Sequence, residues 1–316
     1  MKKLSVLFVF VLFIVMNFST LSIACNICGN PAHNPAIESS GPTTINIVGM
    51  PNMNVAGDLR LRYDGHDING EYDDNESYRI RIGFGLVVNS KTMVSLGMKS
   101  ESDIDGDGSG QINLDVAGVS YYFNDELTLS AGKTIPSFYQ PIGTELLLDD
   151  DVRLEGYSAT YRTDVGSLDL MLNTGYYNDV MAGVQLTTGF DLMDLEIVAG
   201  GGYFDYADAE VNYEAFAEVH MDLLTVAGDY LWNDDVEAWL VGVKTNVGPF
   251  GVYANYRSIE DGSINENLTD THYINDGHEV GFTYTFAPNI VADVNILTED
   301  FDDENFQIRS DLTFGF

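Results

Sequence analysis

Six basic residues recur at spacings that could do chemistry: Arg60 and Arg62, Arg79 and Arg81, Lys99, and Arg309. Residues two apart on an extended chain point the same way, and a guanidinium does not enter a dry core without partners. It does suit a water-filled passage, where fixed charges select solutes by sign and reorient passing dipoles. The complementary sign comes from Glu145, Asp149, Asp150 and Asp151, which close a long connector at 133–155. Facing each other across a narrow opening, the two groups would set up a transverse field. The alternative is local pairing, in which Asp58, Asp64 and Asp311 neutralise the arginines and the wall is merely hydrated.

Other constellations are weaker. Asp103, Asp105 and Asp107 imitate the start of a calcium loop, but the twelfth position is Leu114 rather than Glu, and no flanking helices are expected. That leaves a loosely held divalent cation on an acidic loop, and no cofactor is expected. Glu214, Glu218 and His220 fall on one face of one strand, which suits a polar wall better than an acid–base site. No nucleophile elbow, zinc-protease motif or phosphate loop occurs, so the residues do not point to an enzyme.

The elements that position these charges are strands. From residue 54 the chain alternates between apolar and polar or small residues, as in 55–63 and 78–86, the period-two signature of a strand with one apolar and one polar face. The pattern predicts strands at 54–64, 77–88, 92–100, 112–123, 126–132, 156–163, 167–176, 180–190, 195–204, 211–221, 224–232, 238–247, 250–258, 278–286, 290–298 and 305–316. The apolar register slips between Val116 and Val119, which makes 112–123 the least regular. Every second connector is tight and built of turn residues, such as Asn124-Asp125 and Gly248-Pro249. The intervening ones are on average longer and mostly acidic: 65–76, 101–111, 133–155, 205–210, 259–277 and 299–304.

Inward polar faces, apolar stripes without charge, and aromatics near strand ends (Tyr63, Tyr78, Tyr230, Trp232, Tyr256, Phe286) predict an all-β fold. The expected form is a transmembrane antiparallel β-barrel of 16 strands over 54–316, with short periplasmic turns and longer acidic extracellular loops. A soluble β-sandwich would alternate too, but long strands in even number and lopsided loops favour the barrel. Connector 133–155 carries Phe138, Tyr139 and Leu146-Leu147-Leu148, which need burial. It is therefore a candidate constriction loop folded into the lumen, the alternative being a cover over the mouth or against a neighbouring subunit.

Ahead of the barrel, Lys2 and Lys3, an apolar run from Leu4 to Val15 and small residues before Ala24 describe a secretory signal over 1–24. The run is too short for a spanning helix. An irregular lead-in follows over 25–53. Cys25 and Cys28 are open to a small disulfide or to lipidation of Cys25; haem attachment would need His where Gly29 stands. The sequence holds 49 acids and 14 bases, a charge of −35. So acidic a chain disfavours nucleic acid as a partner. Most of the acids fall in the long connectors, while the two signs nearly balance on the inner face. An acidic vestibule before a near-neutral constriction predicts mild cation preference that weakens as salt rises.

The chain ends Asp311-Leu312-Thr313-Phe314-Gly315-Phe316. This resembles the terminal strand of Gram-negative outer-membrane proteins, where such an ending implies recognition of Phe314 and Phe316 by the barrel-assembly machinery. The stretches 55–63 and 77–84 and the Ala131-Gly132-Lys133 step into a long loop also resemble the opening of Gram-negative porins. The resemblance implies a channel for passive diffusion of small hydrophilic solutes and ions. It further implies the cell outer membrane, contact with its lipid and lipopolysaccharide, and a homotrimer. The adhesin, receptor or plugged barrel enzyme is the other class of function open to such a barrel.

Overall fold

The computed structural model describes residues 43–44, 53–104, 110–141, 145–149, 151–193, 195–207, 211–265, 268–269, 275–299 and 305–316. The expected signal, Cys25, Cys28 and most of the lead-in lie outside the described residues, as do Asp105, Asp107 and Asp150.

The strands are β1 (Met53–Ile68), β2 (Glu71–Asn89), β3 (Thr92–Asp103), β4 (Ile112–Tyr122), β5 (Leu127–Thr134) and β6 (Leu154–Val165). They continue as β7 (Leu168–Tyr177), β8 (Met181–Leu192), β9 (Leu195–Tyr206), β10 (Asn212–Met221) and β11 (Leu224–Trp232). The last five are β12 (Glu237–Val247), β13 (Phe250–Ile259), β14 (Gly277–Ala287), β15 (Ile290–Thr298) and β16 (Phe306–Gly315). Each pairs antiparallel with the next, and β16 returns to β1, from Phe306 opposite Asp67 to Gly315 opposite Asp58. The result is a closed 16-strand antiparallel barrel, which leaves no sheet edge with unpaired backbone groups. Within the lead-in, Thr43 and Thr44 pair antiparallel with Val55 and Asn54 of β1.

Alternation decides which side chains turn inward. On β12, Leu240 is 1% exposed while its neighbour Val241 is 50% exposed. The outward residues of the other strands are likewise Leu, Val, Ile and aromatics, including Leu61, Ile80, Leu172, Leu186 and Val280. Aromatic contacts collect at both ends of the strands. Tyr213 and Tyr230 stack on Trp232 at 5.7 and 5.1 Å, and at the opposite end Tyr284 meets Phe250 and Phe286 at 4.8 and 4.6 Å.

Two stretches depart from the sequence expectation. Connector 65–76 is not a loop: β1 and β2 stay paired to a tight turn at Asn69 (φ 57°) and Gly70 (φ 81°). An Asn-Gly pair in the left-handed region makes the hairpin turn whose twist matches the strands, so pairing continues through a polar stretch that lacks an apolar stripe. On β4, the slipping register is a β-bulge: Gly97 faces Val116 but Met98 faces Leu114. The extra residue, Asp115, turns inward.

Closure ends on the last residue. Gly57 and Phe316 exchange two backbone hydrogen bonds of 2.9 Å, and a Cβ at position 57 would run into the Phe316 ring.

Candidate functional site

Strand register sets the basic residues side by side inside the barrel. Arg60 lies directly opposite Arg79, and Arg81 opposite Lys99. Like charges at facing positions repel, and inside a low-dielectric wall they require counter-charges in contact. Neighbouring strands, and for Lys99 its own strand, supply them. Arg62 forks onto Asp311 at 2.8 and 2.7 Å, Arg309 donates to Asp64 at 2.9 Å, Arg79 to Asp58 at 3.1 Å, and Lys99 pairs with Glu101 at 3.1 Å. The bulged Asp115 takes Arg81 at 3.2 Å and lies 3.9 Å from Arg153.

The remaining partner comes from the connector between β5 and β6. Asp151 meets three guanidiniums together: Arg60 at 3.3 Å and Arg79 on Oδ2, and Arg81 at 2.5 Å on Oδ1. Burial pushes the Asp151 carboxyl up, but Arg79, Arg81 and Arg60 outweigh it and hold it well below the usual carboxylate range. Its backbone N–H donates to Asp149 Oδ1 at 2.6 Å, a local turn that presents the side chain. Asp151 was expected across the lumen from the arginines. The structure places it among them, because a carboxylate in contact relieves the repulsion of three converging cations better than one facing them at a distance. The pairing of Asp58, Asp64 and Asp311 with arginines is likewise what the structure contains. In these contacts seven bases (Arg60, Arg62, Arg79, Arg81, Lys99, Arg153, Arg309) meet six acids.

Upstream, the same connector is anchored on strands about halfway round the ring. Phe138, Leu146, Leu147 and Leu148 cluster with inward Tyr177, Phe204, Tyr206, Leu231 and Leu240, and the three leucines are each 1% exposed. Leu268, from the connector after β13, joins them and accepts the Asp149 N–H at 2.6 Å. Beside this cluster Gln185 of β8 clasps the Tyr139 backbone, accepting its N–H at 2.6 Å and donating to its carbonyl at 2.9 Å. The Tyr139 ring stacks on Phe216, and its hydroxyl donates to Glu218 at 2.7 Å. Burial, with the Glu218 charge beside it, raises that hydroxyl above its ordinary range, so it stays protonated as a donor.

Glu214 and Glu218 are thus buried beneath the connector. Glu214 accepts from Gln185 at 2.7 Å, and His220 stands 3.1 Å from Glu218. Farther round, Glu279 receives Arg257, Asn255 at 3.2 Å and Asn295 at 3.0 Å. The predicted acid Glu145 is exposed. Asp103 ends β3 and accepts from Asn75 at 3.1 Å, away from the arginines. Phe314 faces Ile290 on β15 and Leu59 on β1. Sequence reasoning missed Asp115, Arg153 and Gln185. The register slip at 116–119 signalled the first, whereas nothing distinguished Gln185 from other inward polar residues.

No protein-family model and no curated protein sequence matches the chain. Its fold is that of porins of known structure. One is a variant of the Rh. blastica porin in which a lysine, an arginine, an aspartate and a glutamate are replaced by alanine: TM-score 0.59, 14% identity, 84% of this chain covered and 100% of the other. A triple variant of the Rhodopseudomonas blastica porin aligns with TM-score 0.58 and 13% identity over the same shares.

Proposed function

We propose that this protein is an outer-membrane porin: a water-filled channel through which small hydrophilic solutes and ions diffuse passively. A single observation carries the reading. The barrel is closed, its outer face is apolar, and its inner face bears paired charges, which suits water inside and hydrocarbon outside. The likeness in fold to porins supports it. In this reading residues 1–24 are a cleaved export signal, and Phe314 and Phe316 are read by the barrel-assembly machinery of a Gram-negative bacterium. The barrel packs as a homotrimer among outer-membrane lipid and lipopolysaccharide, and 133–155 forms the constriction.

Contact pairing sets every base of these contacts against an acid, so the arginine wall presents paired rather than bare charge. Selectivity then rests on the long-connector rim, where Glu71, Asp73, Asp74 and Glu76 are exposed. An acidic rim favours cations mildly and supplies ligands for loosely held divalent ions that bridge to lipopolysaccharide. The channel does no covalent chemistry and carries no cofactor.

The test is reconstitution into a planar bilayer. Stepwise conductance with a mild cation preference is expected; silence from correctly folded protein would overturn the reading and leave the plugged receptor or adhesin.

A further inference from the structure

Asp151 differs from the other acids of the arginine wall in how it is carried. Asp58, Asp64, Asp115 and Asp311 belong to strands, whereas Asp151 belongs to a connector. The three guanidiniums it binds are held on adjacent, fully paired β1 and β2. The receptor therefore belongs to the barrel wall, and its resident carboxylate does not. Arg79 and Arg81 are 7% and 9% exposed, and among the described residues Arg79 Nε and Arg81 Nη2 are buried N–H donors without an acceptor. Asp151, with Asp58, Glu101 and Asp115 beside it, does not exhaust the donors converging there, and buried unused donors are costly. The Asp151 side chain itself is 24% exposed, so solvent reaches the carboxylate.

We propose that Arg60, Arg79 and Arg81 form a binding station for the carboxylate of a small anionic solute, and that Asp151 is its built-in surrogate ligand, exchanged for the solute in passage. The proposal rests on the channel reading. Without Asp151, Arg60, Arg79 and Arg81 keep Glu101, Asp58 and Asp115 but lose the one carboxylate they share, so an entering anion and Asp151 compete for the same donors. No bond is made or broken; one carboxylate substitutes for another on the same N–H donors. A planar, two-oxygen ligand fits because the resident one uses both oxygens, Oδ1 for Arg81 and Oδ2 for Arg60 and Arg79. The acidic rim then acts against these solutes and the station for them, which allows a cation-preferring channel to pass small carboxylates.

The test compares wild type, Asp151→Asn and the double variant Asp151→Asn/Arg79→Gln as folded barrels in detergent, verified by heat-modifiable gel mobility. Succinate and, separately, inorganic phosphate are titrated by calorimetry at pH 7, and succinate block of conductance is read in bilayers. Removing the surrogate should tighten succinate binding about tenfold or more, and the double variant should lose that gain. Phosphate should bind Asp151→Asn more weakly than succinate. Succinate affinity unchanged between wild type and Asp151→Asn, or binding of phosphate alone, would overturn the proposal. Silent bilayers from a barrel whose Asp151→Asn form still gains succinate binding would instead overturn the channel reading and leave the station standing.

Discussion

Around Asp151 two neighbouring strands present guanidiniums to a single carboxylate, whereas around Leu146, Leu147 and Leu148 the same connector meets Tyr177, Phe204, Leu231 and Leu240. The two attachments differ in kind. Apolar burial contributes about 1.5–3 kcal/mol per large side chain and has no competitor in water. An ionic contact competes with every anion that reaches it, and its strength depends on salt and pH. The connector is thus anchored firmly at its middle and held exchangeably near its end. The difference predicts that perturbing the apolar side detaches the connector, while perturbing the ionic side retunes what the wall binds.

The sharpest way to break the contrast is Leu147→Asp. Truncating a buried Leu costs about 2–5 kcal/mol, and an unpaired buried carboxylate costs more. Detachment should open residues 135–153 to limited proteolysis and raise single-channel conductance while heat-modifiable gel mobility still reports an intact barrel. Unchanged protection would mean the leucine cluster is not the anchor. A smaller effect is expected from Gln185→Leu, which removes the clasp on Tyr139 and the donor to Glu214. Leaving buried backbone groups unpaired costs about 1–3 kcal/mol. Amide exchange at Tyr139 should quicken correspondingly, with the Asp151 contacts untouched.

Much of this architecture was legible in the residues. Alternation located the sixteen strands, strictly in most and with a slipped register in 112–123, because a strand with one wet and one apolar face has no other way to write itself. The tip of the β1–β2 hairpin was not legible: 71–76 has no apolar stripe, only Tyr72 among acids and Asn, and its pairing comes from the Asn69-Gly70 turn and the strands below it. Leu146–Leu148 announced a need for burial without naming the wall that would receive them. The partners of Asp151 were hidden for a related reason. Arg60, Arg79 and Arg81 lie 70 or more residues away in sequence, and only the folding of the connector against β1 and β2 brings Asp151 to them. Charge counting alone treated acids and bases as facing groups, and could not tell contact from distance.

The ionic side should also show in its pH response. The Asp151 carboxyl is depressed in the folded protein by Arg79, Arg81 and Arg60 despite its burial. A depressed acid contributes stability that is fully present above its unfolded value, near 3.9, and is lost only as pH falls through the lower folded value. Protease resistance of residues 135–153 should therefore stay flat from about pH 8 to 5 as far as Asp151 is concerned, and decline only below about 4. Asp151→Asn should remove that acid-dependent component. An acid-dependent loss of the same size in Asp151→Asn would show that Asp151 does not carry the pH response.

The smallest effect belongs to neither wall. Neutralising Glu71, Asp73 and Asp74 together removes exposed rim charge without touching a contact to the arginines. Cation preference should fall modestly at 0.1 M salt, where the screening length is about 10 Å, and the variant should match wild type near 1 M, where it is about 3 Å. A charge acting at a distance is erased by salt, whereas the close, partly buried pairs around Asp151 are weakened by it much less. If neutralising the rim left the cation preference unchanged at low salt, the preference would have to originate inside the barrel rather than at the rim.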